Sequence, residues 1–172
     1  LAVAGDAPAA RQAQLLQAEL ALKAGQPARV LELLPPPARP ASAAPASQDG
    51  RTALLLRAQA QTAIGQAAEA SAALQPWLSD HPQDAGAWQA LAQAWAAQGQ
   101  TLRQLRAEGE VQLARMDYAG AVDRWRAAQD HSRQQRGGSA DLIEASIVDA
   151  RLREGRELLR LQHEDEKKRA AP

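Results

Sequence analysis

The chain holds three imidazoles, His81, His131 and His163, which could bind zinc or move protons near neutral pH. Their separations, 50 (131−81) and 32 (163−131), put no pair at the i, i+4 spacing that shares a helix face, and no His-Glu-x-x-His run occurs. His81 precedes Pro82 and reads as a turn residue; His131 and His163 lie among polar neighbours and read as surface. Cysteine is absent, which removes thiolate nucleophiles, disulfides and thiolate zinc sites together. Serines fall in loops or caps, and Gly137-Gly138 lacks the context of a phosphate-binding loop. The carboxylates are spread over solvated helix faces, so no acid–base pair stands out. No catalytic, cofactor-binding or metal-ligating residue is assigned.

The elements that would position any site are helices. Leu54, Ala58, Gly65 and Gln66 recur as Trp88, Ala92, Gly99 and Gln100, each displaced by 34 residues (88−54, 92−58, 99−65, 100−66). That register is the signature of a tetratricopeptide array, in which each helix pair needs a neighbour to cover its apolar face. The expected fold is all-α: a tetratricopeptide-repeat helical-hairpin solenoid with a long C-terminal capping helix. The reading divides the chain into a first hairpin of weak repeat character (1–34), a Pro/Ala-rich loop (35–50), regular repeats (51–133), a loop (134–138) and a capping helix with its tail (139–172). Small residues seven before each turn, as Ala18/Gly25, Ala58/Gly65 and Ala92/Gly99, suit close helix approach. Pro76 predicts a kink between Ser71 and Trp77. After Gly99 the register slips to 51, one and a half repeats (121−70, 125−74, 128−77), which predicts that the helix from Leu102 to Arg115 serves two repeats. Ser139 is the expected cap of the last helix, with Leu142, Ile143, Ile147, Val148, Leu152 and Leu159 as its apolar side and a tail that frays beyond Arg160.

Twenty basic residues cancel twenty acidic ones, so no net field draws the chain to nucleic acid or anionic membrane. No run approaches the ~20 apolar residues of a membrane span. The start, Leu1-Ala-Val-Ala-Gly-Asp6, has neither an initiator Met nor an export signal, and a mature or excised fragment is expected.

An array of this kind presents a surface, and protein or extended peptide is the expected partner. The concave face would be built from first-helix residues: Gln59 and Thr62, then Gln89 and Gln93, then Arg103, Arg106 and Glu110. Their donors and acceptors suit a peptide backbone. Trp88 and Trp95 fall in slots where the repeat buries its large residues; Trp77 and Trp125 would be binding anchors if they kept an exposed edge.

Three stretches carry a family likeness: Leu74 to Glu110, Ala114 to Asp130, and ADLIEASIVDARLRE (Ala140 to Glu154), with its Asp-Ala-Arg-Leu-Arg run. Through them the span from Arg51 to Leu161 resembles the C-terminal repeat domain of bacterial zinc metallopeptidases of the outer-membrane β-barrel-assembly-enhancing type. The resemblance implies a periplasmic location and a docking role around outer-membrane protein assembly or its quality control, with the assembly machinery as a partner. It places the catalytic zinc in a separate N-terminal domain, so no catalytic residue carries over and this chain itself holds no cofactor. The other reading of the same helices is a free-standing adaptor or chaperone-like scaffold with no peptidase attached.

Overall fold

In a computed structural model the described residues are 6–36, 48–134 and 139–170. All of their regular structure is helical: α1 (Asp6–Lys23), α2 (Pro27–Leu33), α3 (Gln48–Ala63), α4 (Ala67–Asp80), α5 (Ala85–Ala97), α6 (Thr101–Ala114), α7 (Tyr118–Gln134) and α8 (Ser139–Ala170). The described residues are all-α and built of helical hairpins, and they form two compact units, Leu1–His81 with α1 to α4 and Pro82–Pro172 with α5 to α8. Most of the expected Pro/Ala-rich loop lies outside the described residues, as does the side chain of Ser139; positions 48–50 belong to α3.

The hairpins share one turn. At the end of α1, Gly25 N–H donates to Leu22 O (3.0 Å) and Gln26 N–H to Ala21 O (2.9 Å), with Gly25 at φ 71°. The same paired bonds recur around Gly65 after α3 and Gly99 after α5. This is the Schellman arrangement, in which a left-handed residue lets the chain satisfy the last carbonyls of a helix and reverse. A fourth copy follows α6, where Met116 N–H donates to Leu113 O and Asp117 N–H to Gln112 O, both at 2.9 Å. Here the left-handed residue is Met116, at φ 61°. Its Cβ makes that conformation costly, by roughly 1–2 kcal/mol against a right-handed one. Met116 is 75% exposed, so its side chain contributes little packing. Met116→Gly is therefore expected to stabilise the second unit by about 1 kcal/mol, read as a higher urea midpoint at unchanged slope.

In the first unit α1, α2 and α3 pack mutually and α3 pairs with α4. Leu15, Ala18, Val30, Leu34, Leu56 and Ala60 form their shared core. The end of the seven-residue α2 is held from both sides, because Gln14 donates to Leu33 O and Arg57 to Leu34 O. Helix α4 runs unbroken through Pro76, which sits on its exposed side. The proline deprives Ala72 O of a donor, and Ala72 is itself exposed, so water can replace the lost bond.

In the second unit Asp84 caps α5 by accepting from Ala87 N (3.1 Å), and Asp117 caps α7 by accepting from Gly120 N (2.9 Å). Helix α6 packs on α5, α7 and α8. Trp125, fully buried on α7, is the centre of this core. Its indole lies where a side chain at Gly109 of α6 or Gly155 of α8 would have to go: an added Cβ would stand 2.1 Å from Nε1 at the first and 2.7 Å from Cζ3 at the second. Trp125 Nε1 also donates to Arg106 O (3.2 Å). The apolar side of α8 is narrower than expected, because Val148 and Leu152 are buried while Leu142 and Ile143 are 69% and 66% exposed. Helix α8 continues beyond Arg160 to Ala170, and Arg160 pairs with Glu157 and Glu164.

Candidate binding surfaces and the charged seam

The seven residues expected on one docking face divide into two groups. Gln59 on α3, and Gln89 and Gln93 on α5, are exposed. Gln89 and Gln93 stand at i, i+4, so they share a helix face. Thr62 is half-buried and its hydroxyl donates to Ala58 O of its own helix (2.8 Å).

Arg103, Arg106 and Glu110 are committed elsewhere, and here the expectation of a free docking surface is corrected. Glu110 is 2% exposed and accepts from Arg151 Nε at 2.8 Å. Arg106 donates through Nε to Glu144 Oε2 at 2.8 Å, while its guanidinium lies 5.8 Å from the Trp88 ring centroid and 5.3 Å from that of Trp95. Arg103 approaches the same carboxylate at 3.5 Å and donates to Gln100 Oε1 at 3.0 Å. The physical reason is that α8 covers α6. Their charges alternate in opposite order, Arg106 then Glu110 on one and Glu144 then Arg151 on the other, and the ascending register makes the two helices parallel. A repeat register marks this side of α6 as open; α8 lies over it as the next first helix would.

The electrostatics follow from burial. Removal from water pushes the Glu110 carboxyl above its usual range, against the attraction of Arg151 and Arg106. Arg151 is held above its ordinary value by Glu110 and Glu154, which outweigh its own desolvation. This seam is a structural clasp with every described buried polar side-chain atom satisfied.

The tryptophans leave no exposed edge for an anchor: Trp77, Trp88, Trp95 and Trp125 are all buried. Trp88 Nε1 donates to Pro82 O (2.8 Å), and Trp77 stacks on His81 at 3.9 Å between ring centroids. His81 is half-buried rather than a plain surface residue, its Nδ1 lying 3.0 Å from Trp77 O. Among the described residues no three His, Asp or Glu side chains gather as a metal site, and no helix is long and apolar enough to cross a membrane.

Fold and surface together define a helical-hairpin protein whose buried charges hold helices to one another. No protein-family model matches the chain, and no curated protein is significantly similar to it.

Proposed function

We propose that this chain is a non-catalytic docking module that holds extended polypeptide on the first helices of its hairpins. In the setting implied by the resemblance, it serves a periplasmic zinc metallopeptidase acting in outer-membrane protein assembly or quality control, and zinc belongs to the catalytic domain alone. The observation that carries the docking reading is the set of uncharged amides, Gln59, Gln89 and Gln93, left exposed on helices whose other faces are buried. A glutamine amide offers a donor and an acceptor together, as a peptide backbone does, and so binds chain without reading its sequence.

The docking reading is tested by measuring the affinity of purified, urea-unfolded outer-membrane β-barrel chain, freshly diluted, for the wild type and for Gln89→Glu/Gln93→Glu. Carboxylates only accept, so the variant is expected to bind at least about tenfold more weakly at unchanged helicity. Equal affinity overturns the docking face. The peptidase setting is tested separately, by translating the coding sequence upstream of Leu1 for an export signal and a His-Glu-x-x-His run; finding neither removes that setting.

A further inference from the structure

Between α7 and α8 lies a groove of about 220 Å³ lined by Gln129, Asp149, Leu152, Arg153 and Arg156. Asp149 is engaged, accepting from Gln129 Nε2 at 2.7 Å. Arg153 and Arg156 make no ion pair or hydrogen bond among the described residues, which sets them apart from the arginines on either side. Arg151 holds Glu110 and Glu154, and Arg160 holds Glu157 and Glu164. The acids beside them in sequence, Glu154 and Glu157, are therefore paired elsewhere; Asp149, four before Arg153, keeps its charge because its Gln129 partner is neutral, so the groove carries two positive charges against one negative. The two guanidinium groups stand at i, i+3, where like charges oppose each other, over the buried Leu152.

We propose that this groove is a carboxylate-binding site for an acidic polypeptide. One carboxylate between the two guanidiniums would relieve their repulsion and accept charge-assisted, bidentate hydrogen bonds. The case for a polypeptide over a free anion is Leu142. It is 69% exposed and falls on the same side of α8 by the spacing 142, 149, 153, 156, so a chain whose acid sits in the groove finds apolar surface further along the helix. This site is separate from the glutamine faces of α3 and α5 and stands or falls without them.

The test titrates the full chain with a capped peptide of four glutamates followed by two leucines, and separately with inorganic phosphate and a capped tetralysine peptide, at low salt. Affinity comes from calorimetry, and the Arg153 and Arg156 side-chain N–H signals are followed by NMR. The acidic peptide is expected to shift both signals. Arg153→Gln/Arg156→Gln is expected to weaken its binding about tenfold or more, while Lys167→Gln/Arg169→Gln, an equal loss of charge on the same helix, leaves it within about twofold. Charge reversal, Arg153→Glu/Arg156→Glu, should transfer binding to tetralysine. Circular dichroism checks that each variant folds. Equal weakening by the two neutralised variants would show a net-charge effect and overturn the site. Phosphate binding as tightly as the peptide would overturn the polypeptide assignment, leaving a small-anion site.

Discussion

Gly109→Ala is expected to destabilise the second unit by about 2–3 kcal/mol, the cost of overpacking a filled core. The same change in an exposed helix stabilises by about 1 kcal/mol, so the sign distinguishes the two surroundings. The cause is that the new Cβ would stand 2.1 Å from Trp125 Nε1, and Trp125 has no room to retreat because Gly155 admits its other side from α8. Trp125→Ala, which empties a fully buried site, is expected to cost about 3–5 kcal/mol. The two changes should also couple: with Trp125 replaced by Leu, Gly109→Ala should lose most of its penalty. Urea unfolding of the four species closes that cycle, and additive effects would mean that the indole does not occupy the space between the glycines.

Arg151→Met is the second large effect. It leaves Glu110, 2% exposed, without the guanidinium that holds it at 2.8 Å; Arg151 is itself 32% exposed and Arg106 still attracts the carboxyl, so the expected cost is at the low end of the ~3–5 kcal/mol for breaking a fully buried pair. Replacing both residues by Met should recover much of the loss, because no uncompensated charge remains buried. The pH dependence has a definite sign. The folded pKa of Glu110 is raised above its unfolded value, so the folded state binds the proton more tightly. The stability this contributes is full below the ordinary carboxylate range and is lost as pH rises through the raised value. Removing Arg151 raises that value further, so Arg151→Met should be closest to wild type in acid and fall away as pH rises. Glu110→Gln should remove this component of the pH profile. Urea midpoints from about pH 4 to about pH 8 would reveal it; an Arg151→Met penalty independent of pH would contradict the buried, charge-paired state of Glu110.

The repeating parts of the fold were legible because they are local. A glycine that ends each first helix and a small residue seven before it are spaced by helix geometry alone, and Gly25, Gly65 and Gly99 do turn the chain at positive φ. The fourth turn was not legible, because Met116 stands where the pattern supplies glycine, and no propensity assigns a left-handed conformation to methionine. Gly109 and Gly155 carry no local signal of their purpose, which is to leave room for Trp125 between them.

The charged seam was hidden for a different reason. Arg106 and Glu144 are 38 residues apart and Glu110 and Arg151 are 41 apart, so a search for pairs within one helix misses both. A signal was nevertheless present: Arg106 and Glu110 sit four apart on α6, Glu144 and Arg151 seven apart on α8, in opposite charge order. Two parallel helices would match these rows. The register of first-helix positions favoured an open face instead; of the seven residues it named, Gln59, Gln89 and Gln93 are exposed.

The most direct test of the docking account is site-specific photo-crosslinking to purified unfolded outer-membrane β-barrel chain, with the photoreactive residue at Gln59, Gln89 or Gln93 and, as exposed controls on second helices, at Ala72 or Ala119. The account predicts adducts at the three glutamine positions, competed away by excess unlabelled chain, and little at the controls. Equal yields at all five positions, or adducts confined to Ala72 and Ala119, would contradict it.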